Sequence, residues 1–380
     1  MPARIRLPGR PRPLVIPEPG WPARYPPPAR RRVFAAAHVA ASGDSGIDWE
    51  STMRFRDHLW AHGFGVAEAM DTAQRGMGLS WPQARELIAR TAARAAAAAH
   101  PGALAAGAGT DQLAGGAEHS LRAIIDFYAE QASFVQSTGA QVILMASRAL
   151  AARARGARDY LEVYGELLKQ ADRPVILHWL GEAFDPALAG YWGGGFDAAA
   201  ATVLELIDRA GGRVDGVKLS VLDEGREVSL RRRLPAGVRL YTGDDFNYAA
   251  LIRGDADGSH SDALLGAFAA ITAPAAAALA ALDRGDLAGY DAAMEPTVPL
   301  SRAIFEPPTF DYKVGVAFVA WLNGFQPQFA MLGGLERRRP ARHLIRVFEL
   351  AAAARALTNP YLAVERMNEL LARLVGPERV

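Results

Sequence analysis

Short apolar runs recur along the chain from Val33 onward, and amphipathic segments lie between most of them. Eight runs have the length and apolar character of buried strands: 33–40, 64–70, 103–108, 140–146, 174–180, 214–219, 237–243 and 256–261. The third and the eighth are the weakest, because their small residues are also typical of loops. A helical period of apolar positions covers 81–98, 118–137, 157–171 and 196–210. Strands that alternate with helices predict a parallel sheet, and a count of eight favours a closed (β/α)8 barrel, the TIM-barrel fold.

An open, doubly wound sheet is the alternative arrangement of the same elements. A dinucleotide-binding sheet of that kind carries GxGxxG directly after its first strand, and no such motif follows 33–40. The GAGT at 107–110 is too short and comes too late in the chain. The sequence therefore favours the barrel.

The two ends of the chain differ from its middle. Residues 1–32 contain ten prolines and predict an extended arm, whose scattered apolar residues would dock on the body or on a neighbouring subunit. After residue 283 the pattern is helical only, with prolines between the helices. We therefore predict three parts: an arm at 1–32, the barrel at 33–283 and a helical extension at 284–380 packed on the barrel.

Composition narrows the classes of protein. Half of the 380 residues are apolar, which provides a large core and excludes global disorder. The absence of cysteine excludes disulfides, thiolate metal sites and thiol nucleophiles. The formal charge is +1, and the arm, with eight Arg and one Glu, carries +7, which leaves −6 for the rest. A slightly acidic body argues against nucleic acid as a partner.

The sequence also argues against export and membrane insertion. Prolines interrupt every short apolar run near the N-terminus, so no continuous apolar segment of a signal peptide is present there. The longest uncharged run, 263–282, is mostly alanine and is interrupted by Pro274. It is better explained as the end of a buried strand followed by a core helix. We predict a cytoplasmic protein with no membrane partner.

Lysine is nearly absent from the chain, which has 39 Arg but only Lys169, Lys218 and Lys313. Lys169 ends an amphipathic helix, where a cation suits the helix dipole. Lys218 lies instead in VDGVKLSVL, an apolar strand. A buried lysine, unlike an arginine, can lose its proton and become the nucleophile of Schiff-base chemistry. The alternative is a lysine at the rim of the strand that reaches water or pairs with Asp215 or Asp244.

Seven motifs occur in order along 33–294: GIDW at 46–49, GLSWPQARELI at 78–88, AGAGTDQ at 106–112, PVILHWLG at 174–181, GVKLS at 216–220, YTGDD at 241–245 and GDLAGYDAAM at 285–294. In this order and at this spacing they resemble the dihydrodipicolinate synthase / N-acetylneuraminate lyase family of class I aldolases. The resemblance covers about two-thirds of the chain, and it is closest to a longer, divergent branch. It implies a barrel enzyme that needs no cofactor or metal, uses Lys218 for a Schiff base and forms dimers or tetramers.

The resemblance fails at the residues that bind and protonate a 2-oxo acid. His178 stands where the family has a proton-relaying tyrosine in the fifth strand. Thr72 keeps one of two family threonines, but Asp71 and Ala73 replace a glycine and the second threonine. An aspartate at that place would repel a carboxylate. The chain therefore keeps the lysine of the family but not the residues that bind the carboxylate of a 2-oxo acid.

Two further family residues are missing. The tyrosine after the fourth strand would fall at 147–149, and the arginine after the fifth strand would fall near Glu182. We therefore predict Lys218, His178 and Thr72 as catalytic residues. Oxygen- and nitrogen-bearing side chains would bind the substrate: Asp71, Asp111, Glu182, Asp244, Asp245, Asn247 and His260. Such acceptors suit hydroxyl groups, which favours a keto-sugar or related polyhydroxy carbonyl over pyruvate.

Two other functions compete with this hypothesis. A metal-dependent sugar isomerase or aldolase would bind a divalent ion through carboxylates and histidines, here Glu68, Asp71, Asp111, His178 and His260, although no HxH or HExxH spacing supports it. A barrel that binds carbohydrate without catalysis is the second alternative. The glycine-rich GYWGGGFD at 190–197 is either a lid or, as we prefer, a flexible connection that ends at Asp197.

Overall fold

The structure is a computed structural model that describes residues 2–44, 46–71, 73–98, 104–113 and 119–375. Eight parallel strands close into a barrel, which confirms the predicted fold class. In chain order the strands are β1 Val33–Ala35, β2 Gly65–Glu68, β3 Leu104–Ala108, β4 Gln141–Leu144, β5 Val175–Leu180, β6 Val214–Ser220, β7 Arg239–Thr242 and β8 Asp262–Leu265. Each strand pairs with its sequence neighbours, and β8 closes the barrel on β1.

At least one helix connects each strand to the next, as the alternating pattern predicts. The α-helices are α1 Trp49–Ala61, α2 Trp81–Ala97, α3 Leu121–Ser137, α4 Arg148–Arg153, α5 Ala157–Lys169, α6 Phe196–Ala210, α7 Glu224–Arg231, α8 Tyr248–Arg253, α9 Thr272–Asp283, α10 Leu287–Met294, α11 Val298–Ile304, α12 Lys313–Leu322, α13 Ala341–Ala353 and α14 Pro360–Val375. Ser80 caps α2 in a capping box with Gln83, whose Oε1 accepts from the Ser80 backbone N–H at 2.9 Å.

The prediction of the eighth strand at 256–261 is wrong. These residues form a turn, and β8 begins at Asp262, within the alanine- and leucine-rich run that follows. Aspartate is typical of such a turn, because its side chain can bond to the backbone two residues later. Here the Asp257 carboxylate accepts from the Ser259 backbone N–H at 2.8 Å. The small polar residues therefore belong to a local turn that precedes the strand.

The chain divides into two compact units that interleave in sequence. One unit consists of residues 31–36 and 65–265 and contains all eight strands of the barrel. The other consists of the remaining described residues and contains the arm up to residue 30, α1 and α9 to α14. The three-part division at residues 32 and 283 stays a prediction.

The proline-rich arm packs within its own unit. Apolar residues of the arm, Ile5, Leu7 and Ile16, are buried. The Trp21 indole N–H donates to the Arg355 carbonyl at 2.9 Å, and backbone N–H groups near the end of the arm donate to Asp283. The arm therefore docks on the helical C-terminal segment of the same chain.

The barrel interior alternates large and small side chains. Its core cluster consists of Phe34, Ala36, Ala67, Met70, Ala105, Ile143, Met145, Ile176, Tyr241 and Leu264. Gly65 leaves room for the Phe34 ring, because an added Cβ would lie 2.5 Å from that ring. None of the helices in the described part of the chain is both apolar and long enough to span a bilayer.

Candidate active site

Lys218 lies in β6 and points into the barrel. It is in register with His178 of β5 on one side and with Tyr241 of β7 on the other. Only 6% of the residue is exposed, and its Nζ donates to the Sδ of Met70, a member of the barrel core, at 3.7 Å. The lysine is therefore an interior residue near the carboxyl end of its strand, where barrel enzymes build their sites.

Gly243, directly after β7, makes space for this side chain. A Cβ on Gly243 would lie 2.1 Å from the Ser220 Oγ and 3.0 Å from the Lys218 Cε. It would also lie 2.8 Å from the Leu219 carbonyl oxygen, which cannot move aside as a side chain can. Glycine is thus required where β7 passes the amine and the Ser220 hydroxyl.

His178 is the buried neighbour of the lysine across the strand pair. Its Nε2 lies 3.5 Å from the Ser220 Oγ, and its buried Nδ1 has no hydrogen-bond partner among the described residues. Burial, and then the charge of Lys218, lower the pKa of His178 well below 6.5. The imidazole is therefore neutral at physiological pH and able to accept a proton.

The residues predicted after β7 come together at the carboxyl end of that strand. The Asp244 carboxylate accepts from the Phe246 and Asn247 backbone N–H groups at 2.9 and 3.0 Å, and from the Asn247 side-chain amide at 2.8 Å. Asp245 is also buried. Asp244 and Asn247 thus fix the turn that begins α8.

Asp111 pairs with a buried arginine that the sequence did not identify. Arg75 donates from Nε and Nη2 to the two Asp111 oxygens, from Nη1 to the Ala69 and Gly107 carbonyls, and from Nη2 to the Gln131 Oε1. All five of its N–H groups are used. Burial raises the pKa of Asp111, but the charge and hydrogen bonds of Arg75 outweigh it, so the pKa lies below the ordinary value.

The other predicted residues lie on separate segments of the chain. Asp71 is buried in the segment after β2, whereas Glu182 is exposed after β5. His260 precedes β8 and therefore lies at the amino end of the barrel, because its prediction depended on the misplaced strand. Thr72 lies outside the described residues.

A family model matches residues 14–376 of the chain. The chain belongs to the DUF993 family. That family is described as "Protein of unknown function". Comparison with curated proteins gives no significant match.

Solved structures share the fold of this DUF993 chain. The dihydrodipicolinate synthase of Thermotoga maritima aligns with a TM-score of 0.64 and 14% identity, over 86% of this chain and 100% of that one. The enzyme of Acinetobacter baumannii, solved with pyruvate, aligns at 0.63 and 15%, over 86% and 99%. That of Aquifex aeolicus aligns at 0.60 and 14%, over 92% and 100%. The predicted resemblance is confirmed as a shared fold.

Burial alone does not distinguish Lys218 within the DUF993 chain. Lys313, the first residue of α12 in the other unit, is only 1% exposed. Lys169 is on the surface, where its ammonium pairs with Glu166 at 2.5 Å. Of the three lysines, only Lys218 extends from a barrel strand. For substitution experiments, Lys313 is a buried control and Lys169 an exposed one.

Two of the side chains proposed for a divalent ion are engaged by other side chains. Glu68 accepts from Thr91 at 2.7 Å, and Asp111 is paired with Arg75. Across the described ranges, no three His, Asp or Glu side chains converge as a metal site requires. The donor set of the metal-dependent alternative therefore does not assemble in the described part of the protein.

Proposed function

We propose that this protein is a class I aldolase or lyase that forms a Schiff base with a small carbonyl compound. One observation supports the proposal above all: a lysine buried on the inner face of β6, in register with a buried neutral histidine. The shared fold with dihydrodipicolinate synthases is consistent with it. His178 has no evident structural purpose, since an imidazole nitrogen buried without a hydrogen-bond partner costs stability.

The reaction would begin with attack of the neutral Lys218 amine on the substrate carbonyl carbon. The resulting carbinolamine takes up a proton from solvent and loses water to give an iminium ion, which accepts the electron pair of the adjacent C–C or C–H bond as that bond breaks. His178 would take up the proton released in this step and return it to the enamine. Hydrolysis then frees the product and the amine. Thr72 remains the predicted partner in proton transfer.

We infer that the substrate is a neutral polyhydroxy carbonyl compound, such as a keto-sugar, rather than a 2-oxo acid. Arg75 has no N–H group left for a substrate carboxylate, and the Lys218 Nζ donates to the thioether of Met70. Asp71, buried after β2, would repel an anion. Asp71 and Asp245, two of the residues predicted to bind substrate, would accept from substrate hydroxyls. A cytoplasmic location and assembly into dimers or tetramers remain predictions.

The proposal is tested by hydrogen exchange at the carbon next to the carbonyl, followed by NMR in deuterated water with dihydroxyacetone and D-fructose. Iminium formation acidifies that C–H bond, so the protein should accelerate its exchange. Exchange should persist in a chelator, survive in Lys313→Met and Lys169→Met, and fall by about a hundredfold or more in Lys218→Met.

Two results would refute the proposal. Exchange that a chelator abolishes and that Lys218→Met retains would indicate a metal-dependent enzyme. Binding of a sugar without any exchange would indicate a carbohydrate-binding barrel.

A further inference from the structure

Ser220, the last residue of β6, carries a buried hydroxyl group that the sequence did not identify as part of a site. Only 1% of the residue is exposed. Successive side chains of a strand point to opposite faces, so Ser220 lies on the same face of β6 as Lys218, two residues earlier. The hydroxyl group therefore lies on the inner side of the barrel, closer to its carboxyl end than the amine-bearing residue.

The Ser220 hydroxyl and the end of the Lys218 side chain lie close together beside Gly243. A Cβ added to Gly243 would lie 2.1 Å from the Ser220 Oγ and 3.0 Å from the Lys218 Cε. Both atoms are thus within 3.0 Å of one point, and the Lys218 Nζ is a single bond beyond Cε. A substrate bonded to that nitrogen would be held close to the Ser220 hydroxyl.

His178 is the partner of this hydroxyl on the neighbouring strand. The Ser220 Oγ lies 3.5 Å from the His178 Nε2 and has no other hydrogen-bond partner among the described residues. This distance is long for a hydrogen bond, and catalytic contacts often shorten only when the substrate is bound. A buried hydroxyl with one long bond contributes little to stability. Ser220 therefore lies between the imidazole and the place of the substrate.

We propose that Ser220 is a catalytic residue that carries protons between the bound substrate and His178. The inference rests on the proposed function and adds the group that contacts the substrate. As the C–H bond next to the iminium breaks, its proton passes to the Ser220 Oγ, and the serine's own proton passes to the His178 Nε2. The electron pair of that bond converts the iminium into an enamine, and the hydroxyl group is regenerated. The transfer requires the tautomer of His178 that carries its proton on Nδ1.

Deuterium exchange into dihydroxyacetone, measured by NMR on the full-length protein, tests this relay. Ser220→Ala should slow the exchange by about a hundredfold, the usual contribution of a proton-transfer group. Ser261 is equally buried but lies before β8, at the amino end of the barrel, so Ser261→Ala is the matched control and should exchange within about twofold of the wild type. Borohydride should still trap the wild-type amount of adduct on Lys218 in Ser220→Ala, because attack by the amine does not need the hydroxyl.

A double variant separates a relay from an effect on packing. Exchange by Ser220→Ala/His178→Ala should be no more than about threefold slower than by His178→Ala alone, because residues that act as a unit are not additive. Losses that multiply in the double variant, or an adduct that also disappears in Ser220→Ala, would overturn the relay. Normal exchange in Ser220→Ala would overturn it as well and leave the proposed function standing. A wild type that forms no adduct and catalyses no exchange would refute the proposed function, and the relay with it.

Discussion

Glu227 of α7 is a buried carboxyl group that makes the stability of the protein depend on pH. Its oxygens accept from the Ser261 hydroxyl at 2.7 Å and from the Thr242 hydroxyl at 2.9 Å. Burial raises the pKa of Glu227 to about 8; the two hydrogen bonds and Arg231 lower it in part, and the charge of Asp244 raises it. The carboxyl group is therefore largely protonated at neutral pH.

The direction of the effect follows from proton binding. The folded protein holds this proton up to about pH 8, whereas the unfolded chain releases it near 4.5. Between these values the folded state binds more protons, so the free energy of unfolding falls by roughly 1.4 kcal/mol for each pH unit. The stability contributed by Glu227 is complete below 4.5 and is lost by about pH 8.

Glu227→Gln removes this titration, and urea unfolding from about pH 5.5 to about pH 8 measures the change. We expect the unfolding free energy of the wild type to fall relative to that of the variant by roughly 1.4 kcal/mol per pH unit. Glu224→Gln, exposed on the same helix, should follow the wild type. Parallel pH profiles for the wild type and Glu227→Gln would refute the reasoning.

Three more substitutions test the geometry of the site. Gly243→Ala, whose Cβ would lie 2.1 Å from the Ser220 Oγ, should destabilise the protein by about 1–3 kcal/mol in thermal unfolding; an unchanged midpoint would contradict this contact. Arg75→Lys cannot reproduce the paired bonds to Asp111 and should cost about 3 kcal/mol in urea unfolding; a loss below about 1 kcal/mol would show that the guanidinium is not needed. Lys218→Met replaces a buried amine with an apolar side chain and should raise the unfolding free energy by about 1–2 kcal/mol while activity is lost. Lower stability in that variant would mean that the lysine is structural.

The hydrophobic pattern predicted the barrel because each strand is a buried apolar run. Seven of the eight runs overlap the observed strands. The eighth failed because the short strand Asp262–Leu265 runs directly into the alanine-rich stretch that leads to α9, so the sequence pattern does not separate the strand from that stretch. Because of this error, His260 was predicted at the carboxyl end of the barrel, whereas it lies at the amino end.

The sequence alone was enough to single out Lys218 as a candidate site residue. The chain otherwise uses arginine, so a lysine within an apolar strand is unusual. The sequence did not predict that Arg75 is buried at the site. Its partners lie on β3 and α3, far away in the chain, and the residues next to it give no sign of these contacts. The burial of Lys313 was missed for the same reason. Contacts between distant segments also explain why 190–197, expected as a flexible connection, is anchored through Tyr191.

The covalent bond itself is the most direct test of the proposed chemistry. The protein is incubated with dihydroxyacetone and with D-fructose, reduced with borohydride and digested, and the modified peptide is identified by mass spectrometry. The account predicts a reduced adduct on Lys218, with none on the buried Lys313 or the exposed Lys169. Adducts on Lys169 or Lys313 alone, or none on Lys218 with either compound, would contradict it.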